Sequence, residues 1–321
     1  MKAMRAHQFG GADQLRLEEA PEPQLQPGQV MIRVRAAGIN PADLVRLSGR
    51  LGSLPLPYIP GTDVCGEVER LGAGVSSLKP GQRVFGRALT GGYAERACLA
   101  AEEAIPLPAN LSFEEGAAIP IPFYTAYHAL HNKAVVKSGE TVLVSAGGGG
   151  VGVAAIQLAR IGGARVMTTV GSKEKAERVK ALGAHAAINY KEQDFVAEAQ
   201  KFTEQKGVDV IIENVAADNL AKDFLVVAPR GRIVVIGTGT GKAGDANFPV
   251  FAALMKDVTM LGMSLINAGV AIAEMARILS GLFGEGKIKA MVSKSYPLTA
   301  AAQALDDLVA SRVFGKLVLI P

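Results

Sequence analysis

The spacing of apolar residues predicts short β-strands in the first third of the chain. In residues 30–39, VMIRVRAAGI, the side chains of Val30, Ile32 and Val34 alternate with Met31 and two arginines. This alternation predicts a strand with one buried face and one polar face. The apolar runs that follow, GTDVCGEVERLGAGV, KPGQRVFG and GGYAERACLA, are punctuated by Gly or Pro-Gly. We therefore expect a β-rich region with partial barrel character.

The pattern changes at about Val142, where strand-like and helix-like segments begin to alternate. The predicted strands are TVLVSA, ARVMTTV, AAIN, VDVIIENV and GRIVVIG, and amphipathic segments of helical length separate them. A further apolar segment, VTMLGMSL, would make a sixth strand. This alternation is typical of right-handed βαβ units on a parallel sheet.

The last fifty or so residues return to the character of the first region. They contain a predicted helix VAIAEMARILSGLF, the segment SKSYPL, a second helix with Thr299 as its expected cap, and a terminal strand GKLVLI. We assign this part of the chain to the β-rich domain, which is then discontinuous. The predicted domains are residues 1–121 with 265–321, and residues 122–264.

Four consecutive glycines follow the first strand of the parallel region. Gly147, Gly149 and Gly152 satisfy G-x-G-x-x-G between a predicted strand and a predicted helix. In that setting the glycines allow a tight turn, close approach of a pyrophosphate, and close packing of helix on strand. A flexible linker is the alternative, but the sequence that follows, VAAIQLA, is apolar. The motif predicts a site for a dinucleotide phosphate.

The end of the next strand bears on which dinucleotide binds. A site for NAD usually carries an acidic residue there, which holds the ribose hydroxyls. This strand ends at Gly171. It is followed by Ser172, Lys173 and Lys175, at the start of the next predicted helix. Without the acid a 2′-phosphate meets no repulsion, and the lysines supply positive charge. A solvated helix face is the alternative reading of these lysines.

Composition narrows the class of protein further. The chain has 321 residues, a net charge of +4 and two widely separated cysteines, Cys65 and Cys98. The cysteines offer no disulfide framework, and the N-terminus does not read as a signal peptide, so we expect a cytoplasmic protein. No apolar run is long enough for a membrane span. Aromatic residues make up 5% and Trp is absent, so a nucleic-acid partner is not expected.

Several segments together resemble one family over essentially the whole chain. GETVLVSAGGGGVGVAAIQLAR carries the glycine loop, and AAGINPAD, PGTDVCGEV, GGYAE, IPFYTAYHAL and GKLVL occur in the family's order. The chain resembles the zinc-independent quinone oxidoreductases of the medium-chain dehydrogenase/reductase superfamily, in the zeta-crystallin branch. The resemblance implies an α/β protein with a GroES-like catalytic domain, a doubly wound Rossmann domain, and NADPH and substrate in the cleft between them. It also implies a homodimer or homotetramer.

The resemblance implies a set of cofactor residues. Those expected at the pyrophosphate are Gly148, Gly149, Gly150 and Val151, and those expected at the adenosine phosphate are Gly171, Ser172, Lys175 and Tyr190. The remainder of the cofactor is expected to meet Asn219, Ile236, Gly237, Thr238, Met263, Ser264, Leu265 and Lys316. Relative to the family pattern, Val45 replaces a common tyrosine and the nearby arginine is displaced to Arg46.

The expected catalytic residues are hydrogen-bond donors. Asn40, which the resemblance places at the nicotinamide and substrate, together with Tyr58 and Thr125, could stabilise the oxyanion that hydride transfer creates. Asn40 is also a good turn residue before Pro41, and Tyr58 could simply line a wall. Zinc-dependent relatives use a His-Glu pair where this chain has Thr62 and Asp63, so no metal is expected.

Three functions remain open on sequence alone. The first is NADPH-dependent reduction of quinones, a small-molecule substrate class. Reduction of the carbon–carbon double bond of enals or enones uses the same hydride geometry and is the alternative within the enzyme class. A non-catalytic role, as an RNA-binding or crystallin-like protein, is the alternative from another class.

Overall fold

A computed structural model describes residues 1–50, 55–239, 244–269 and 271–321. The chain forms two compact units, Met1–Ile121 with Val270–Pro321, and Pro122–Gly269. The first break lies after residue 121, as in the sequence-based division. The second lies after Gly269, whereas the sequence places it after residue 264.

The strands and helices follow the order expected for a β-rich unit interrupted by an α/β unit. The strands are β1 Lys2–Ala6, β2 Leu15–Glu19, β3 Gln29–Gly38, β4 Asp63–Leu71, β5 Arg83–Arg87, β6 Arg96–Ala100, β7 Ile105–Pro106, β8 Thr141–Val144, β9 Arg165–Val170, β10 Ala186–Asn189, β11 Val208–Glu213, β12 Val227–Val235, β13 Thr259–Gly262, β14 Val292–Pro297 and β15 Lys316–Ile320. The α-helices are α1 Pro41–Leu47, α2 Phe113–Ala117, α3 Pro120–Tyr127, α4 Gly150–Ile161, α5 Lys173–Ala181, α6 Phe195–Phe202, α7 Ala216–Val226, α8 Val250–Met255, α9 Ala271–Gly284 and α10 Ala301–Val309.

The first unit is built on a seven-stranded sheet with a separate β1–β2 hairpin. The sheet order is β14-β15-β3-β4-β5-β7, and β6 pairs with β3 as well. The terminal strand β15 is antiparallel to β3, with Val318 opposite Gly38. The C-terminal segment therefore completes the N-terminal sheet and brings Lys316, at the start of β15, into its core.

Two local expectations for this unit need correction. Met31 is fully buried although its position in the alternating pattern predicts the polar face. Its two cross-strand neighbours help to cover it: the Arg70 guanidinium reaches Met31 Sδ at 2.9 Å, its alkyl stem can cover apolar surface, and Cys98 on β6 is itself buried. Thr299 does not cap the last helix, because it lies within a 3₁₀ turn, Leu298–Ala300, that precedes α10. The helix expected from Val270 begins at Ala271, and residue 270 lies outside the described residues.

The second unit is a six-stranded, all-parallel sheet with the order β10-β9-β8-β11-β12-β13. All six strands predicted from sequence take part in it. The order reverses direction between β8 and β11. The chain leaving β13 remains bonded to β12, since Met263 N–H donates to Val235 O at 3.1 Å, which keeps the following turn with this unit. Helix α8 was not predicted, because its residues are largely apolar and exposed rather than periodic.

Each unit has its own apolar core. In the first, Val30, Ile32, Val64 and Leu319 are among the buried residues that pack together. In the second, Leu143, Met167, Ile211 and Ile233 come from four adjacent strands and pack with residues of α6 and α7. In the described part of the chain, we find no helix with the length and apolar character of a membrane span.

Candidate active site

The predicted cofactor residues of the second unit lie at one edge of its sheet. Those near the glycines follow β8, those near Lys175 follow β9, and Tyr190 follows β10. Asn219 lies on α7 after β11, and the two remaining groups follow β12 and β13. The carboxyl ends of parallel strands share one edge, and such sheets bind ligands where the strand order reverses. Here that point lies between β8 and β11.

The glycines of the β8–α4 loop serve two different purposes. A Cβ on Gly147 would lie 2.0 Å from Thr168 Oγ1, and one on Gly152 would lie 2.4 Å from Ala146 O. These two positions require glycine for packing. A Cβ on Gly149 would meet only Ala146 O, at 3.4 Å, so the backbone in front of Gly149 is open. That opening fits a phosphate that must approach the main chain.

Helix α4 presents its N-terminus at this loop. Gly149 is its N-cap, and its first turn contains no acidic residue. The N–H groups of Gly150, Val151 and Gly152 belong to the first turn, which has no intrahelical acceptors. They carry the positive end of the helix dipole, so the loop and helix together fit the pyrophosphate of a dinucleotide.

A second group of predicted residues lies at the end of β9. Tyr190 is 54% exposed, and a Cβ on Gly171 would lie 2.8 Å from its Oη. A side chain at position 171 would require the exposed Tyr190 hydroxyl to move. Ser172 is the N-cap of α5, where its Oγ accepts from Lys175 N–H at 3.2 Å. Residues 171–173, which follow this strand, include the Ser172 hydroxyl and no carboxylate.

Lys175 differs from the exposed lysine two residues earlier because it is half-buried. Burial lowers the pKa of Lys175, and the positive charges of Lys191 and Arg178 lower it further, against the opposite effect of Glu174. Lys191 and Arg178 are therefore close enough to Lys175 to affect its pKa. Such a grouping favours an anion, which is the requirement of a 2′-phosphate.

The remaining predicted residues of this edge are held by backbone contacts. Ile236 N–H donates to Glu213 O at 2.9 Å, and Gly237 would bring a Cβ within 2.8 Å of Asn214 O. Thr238 forms an isolated bridge with Val215. Met263, Ser264 and Leu265 lead out of β13, and Ser264 Oγ accepts from Ile266 N–H at 3.3 Å. The loops after β11 and β12 are therefore bonded to each other.

The first unit contains a buried polar cluster around Asn40. Lys316 Nζ donates to Asn40 Oδ1 and, at 2.8 Å, to Asp63 Oδ2. Asn40 Nδ2 donates to the same Asp63 oxygen at 2.9 Å, and Ile121 N–H donates to Asp63 Oδ1 at 3.0 Å. Gly38 permits this arrangement, because a Cβ there would lie 2.9 Å from Lys316 Cε. The ammonium of Lys316, expected at the cofactor, is here directed at Asn40 and Asp63.

A second carboxylate, Asp43, supports Asn40 from the backbone side. Asp43 is the third residue of α1, and its Oδ2 accepts from Asn40 N–H and from Tyr93 Oη, both at 2.8 Å. Its Oδ1 is buried with no partner among the described residues. Burial raises the pKa of Asp43 to about 6, despite these two hydrogen bonds and the nearby charge of Lys316.

The other predicted catalytic residues have distinct surroundings. Tyr58 is partly buried, and burial together with the charge of Asp43 raises the pKa of its hydroxyl. Arg46 donates to Thr62 Oγ1 at 3.0 Å, while Val45 is 37% exposed. Thr125 is buried within α3 of the second unit.

Sequence reasoning missed Asp43 and Tyr93 and gave Asp63 no role beyond replacing a zinc ligand. The segment Asn40-Pro41-Ala42-Asp43 carries a detectable signal, an N-cap residue with Pro at N1 and an acid at N3. Tyr93 and Lys316 carry none, since they reach the cluster only through folding. Among the residues that the structure describes, no three His, Cys, Asp or Glu side chains are grouped as a metal site would need.

The fold and the cofactor edge define a class of protein: an oxidoreductase that binds a nicotinamide dinucleotide on a Rossmann domain and carries a GroES-like domain in the same chain. Residues 26–109 match the family model "Alcohol dehydrogenase GroES-like domain". Residues 150–281 match the model "Zinc-binding dehydrogenase".

Known proteins are similar to the chain over its full length. The quinone oxidoreductase of Rattus norvegicus is 38% identical over 325 residues, covering 100% of this chain and 98% of the relative. The crystal structure of Escherichia coli quinone oxidoreductase complexed with NADPH has a TM-score of 0.93 and 30% identity, with 100% of both chains covered. That of an NAD-dependent alcohol dehydrogenase has a TM-score of 0.91 and 34% identity, again covering 100% of both chains. The chain belongs to the quinone oxidoreductase family of the medium-chain dehydrogenase/reductase superfamily.

Proposed function

We propose that this protein is a zinc-independent, NADPH-dependent quinone oxidoreductase. The observation that carries the proposal is the acid-free end of β9, where Gly171 lies beside Tyr190 and Lys175 follows in the first turn of α5. An NAD site would place a carboxylate at that point. The likeness to quinone oxidoreductases, one of them in complex with NADPH, supports both the cofactor and the substrate class.

The proposed cofactor contacts divide into two kinds. The amide groups of Gly148 to Val151 bind the pyrophosphate through the open backbone and the α4 dipole. Lys175, Ser172 and Tyr190 bind the 2′-phosphate through one charge and two hydroxyls. Asn219, the Ile236–Thr238 loop and the Met263–Leu265 turn are proposed to contact the remainder of the cofactor. NADPH, when bound, supplies the hydride.

Asn40 is proposed to stabilise the charge that develops on the quinone oxygen. One of its two amide hydrogens is used by Asp63, which leaves the second as a donor. Lys316 lies against the amide oxygen and polarises the group, so the amide becomes a stronger donor. A buried donor of this kind needs no reorientation during the reaction.

Tyr58 and Thr125 are proposed as hydroxyl donors to the substrate. Because burial raises the pKa of Tyr58, its phenol stays protonated at neutral pH and can donate. The hydrogen bond from this phenol would stabilise the charge that develops on the reduced quinone oxygen. In this proposal Lys316 remains in the buried cluster of the first unit and acts on Asn40. The resemblance to the family implies a different role for Lys316, a direct contact with the cofactor.

The proposal excludes a catalytic metal on chemical grounds. Thr62 donates no ligand of the type that zinc prefers, and Asp63 already accepts from an ammonium, an amide and a backbone N–H. Elemental analysis of the purified enzyme, combined with a chelator assay, tests this point. Stoichiometric zinc with activity lost on chelation would contradict it.

The substrate class is tested by NADPH oxidation with the purified protein. Quinones and α,β-unsaturated aldehydes and ketones are offered at matched concentrations, and hydroquinone is identified as product. We expect quinones to accelerate NADPH oxidation. Turnover confined to the enals and enones would make the protein a double-bond reductase, and no turnover with either would remove the enzymatic proposal.

We also propose that the chain forms a homodimer or homotetramer. Among the described residues, strand β13 pairs only with β12 and is an edge strand of the sheet. On α8, which precedes β13 in the chain, Phe251, Leu254 and Met255 are 76%, 69% and 67% exposed, which is unusual for large apolar side chains on a monomer. Light scattering of the wild type against Phe251→Asp tests this, and a monomeric wild type would contradict it.

The two free, buried cysteines are compatible with a cytoplasmic location.

A further inference from the structure

Two carboxyl groups are buried together beneath the cofactor edge of the second unit. Glu213 is the last residue of β11, and Asp223 lies on α7, which follows it. Both side chains have an exposed fraction of 0%. Helix α7 packs on β11, and each of the two carboxyl groups is close enough to change the pKa of the other. Two ionised carboxylates close together would repel strongly where water cannot screen them.

The hydrogen-bond donors around this pair all serve Glu213. Its Oε1 accepts from Ser145 Oγ at 2.8 Å and from Val215 N–H, and its Oε2 accepts from Asn219 Nδ2 at 3.4 Å. Neither oxygen of Asp223 accepts a hydrogen bond from any described residue. The donors therefore stabilise negative charge on Glu213, whereas nothing stabilises it on Asp223. Burial and the charge of Glu213 raise the pKa of Asp223.

Glu213 connects loops that carry proposed cofactor residues. Ser145 follows β8 and leads into the glycine loop, and Asn214 also binds Ser145, with Nδ2 donating to Ser145 O at 2.9 Å. Asn219 is itself a proposed cofactor residue. The backbone of Glu213 accepts from Ile236 N–H, which begins the loop after β12. A displaced Glu213 side chain would break its hydrogen bonds to Ser145 and Asn219 together.

We propose that Asp223 is a positioning residue for the cofactor site: it carries a proton, donates it in a hydrogen bond to Glu213, and so keeps Glu213 bonded to Ser145, Val215 and Asn219. The inference rests on the proposed function, because the loops held in this way are those assigned to NADPH. Asp223 does not touch the cofactor in this proposal. Its effect reaches the pyrophosphate and nicotinamide portions through the loops, and not the 2′-phosphate, which lies beyond β9.

The test compares two substitutions at one position. Asp223→Asn retains the shape and an N–H donor toward Glu213, whereas Asp223→Leu removes the donor. We expect Asp223→Asn to bind NADPH within about twofold of the wild type, and Asp223→Leu to bind about tenfold more weakly or worse, as loss of a hydrogen bond to a charged group implies. NADPH and NADH should weaken by the same factor, with kcat less affected than KM. Lys222→Gln, on the exposed side of the same helix, is the control.

Infrared difference spectroscopy tests the proton itself. At pH 8 the wild type minus Asp223→Asn spectrum should contain a protonated-carboxyl band, and Asp43 does not interfere, because a pKa of about 6 leaves it ionised. Absence of the band overturns the proposal. So does equal weakening by Asn and Leu, or, if the Leu variant does not fold, weakening by Asn beyond tenfold. Failure of the wild type to bind NADPH would instead contradict the proposed function. The infrared band reports on the Asp223 proton independently of NADPH binding, so the two failures can be distinguished.

Discussion

The two units bury acidic side chains in different ways. In the GroES-like unit, Asp63 faces the ammonium of Lys316 at 2.8 Å, with exposed fractions of 0% and 4% for the two side chains. In the Rossmann unit, Glu213 and Asp223 form no ion pair with any described residue. The lysine ammonium brings a positive charge that balances the carboxylate. A shared proton instead removes the negative charge of one carboxyl group, and only while the proton stays bound. The first cluster can therefore polarise a neighbouring amide, and the second can only hold loops in position.

Asp43 is intermediate between these cases. It has two good donors, Asn40 N–H and Tyr93 Oη, yet its second oxygen has no partner among the described residues. Its pKa, raised by burial to about 6, means that this carboxylate is ionised at neutral pH at a cost. The comparison indicates that the distance to a cation, more than the number of hydrogen bonds, decides whether a buried carboxyl group in this protein is charged.

The largest effect is expected from removing the cation of the first cluster. Lys316→Met leaves Asp63 buried and unpaired, so the free energy of unfolding should fall by about 3–5 kcal/mol. The double variant Asp63→Asn/Lys316→Met should recover most of this loss, because no charge is left uncompensated. Urea denaturation of the three proteins measures both. Lys287→Met, which breaks an exposed ion pair with Glu285, is the matched control and should change stability little. A loss no larger than in the control would mean that the buried pair contributes nothing.

Asn40→Ala tests whether the polarised amide acts in catalysis. Turnover should fall by about 10²–10³, as when one donor to a developing oxyanion is removed. The Kd for NADPH should change little, since the amide is assigned to the substrate oxygen. Steady-state kinetics and a binding titration separate the two quantities. Unchanged turnover with a weaker Kd would assign Asn40 to cofactor positioning alone.

Asp43→Asn tests the intermediate case through pH. The native state binds the Asp43 proton more tightly than the unfolded chain, whose carboxyl has the ordinary value of 3.8. Stability from this group is therefore full below about pH 4 and is lost as the pH rises through about 6. The asparagine does not titrate, so between pH 4 and pH 7 the stability of the variant should rise relative to that of the wild type by about 2–3 kcal/mol. Parallel stability profiles for the two proteins would contradict the assignment.

Lys175→Ala tests charge recognition at the surface, where the smallest effect is expected. Loss of a charged hydrogen bond should weaken NADPH by about 1.5–3 kcal/mol and leave NADH nearly unchanged. The ratio of kcat/KM for the two cofactors measures this selectivity. Lys173→Ala, at an exposed position in the same turn, should preserve the ratio. If both variants preserve it, Lys175 is a solvated helix residue, and the glycine loop alone binds the phosphates.

Much of the Rossmann unit could be predicted because its signals are local. Gly152 is required because a Cβ there would lie 2.4 Å from Ala146 O, which is only a few residues away in the chain. The motif therefore appears in a short window of sequence. The capping pair Asn40 and Asp43 is equally local. The burial of Met31 was not predictable in this way, since Arg70 covers it from a neighbouring strand.

The sequence by itself determined the alternation of strands and helices, the phosphate loop and the absence of an acid after β9, because each depends on neighbouring residues and on backbone geometry. Only the tertiary structure decided which acids receive a cation. Lys316 and Asn40 are 276 residues apart in the chain, and Glu213 and Ser145 are 68 apart. Whether a carboxylate is charged, protonated or paired depends on the water it loses and the groups it meets on burial, and both are set when distant segments come together.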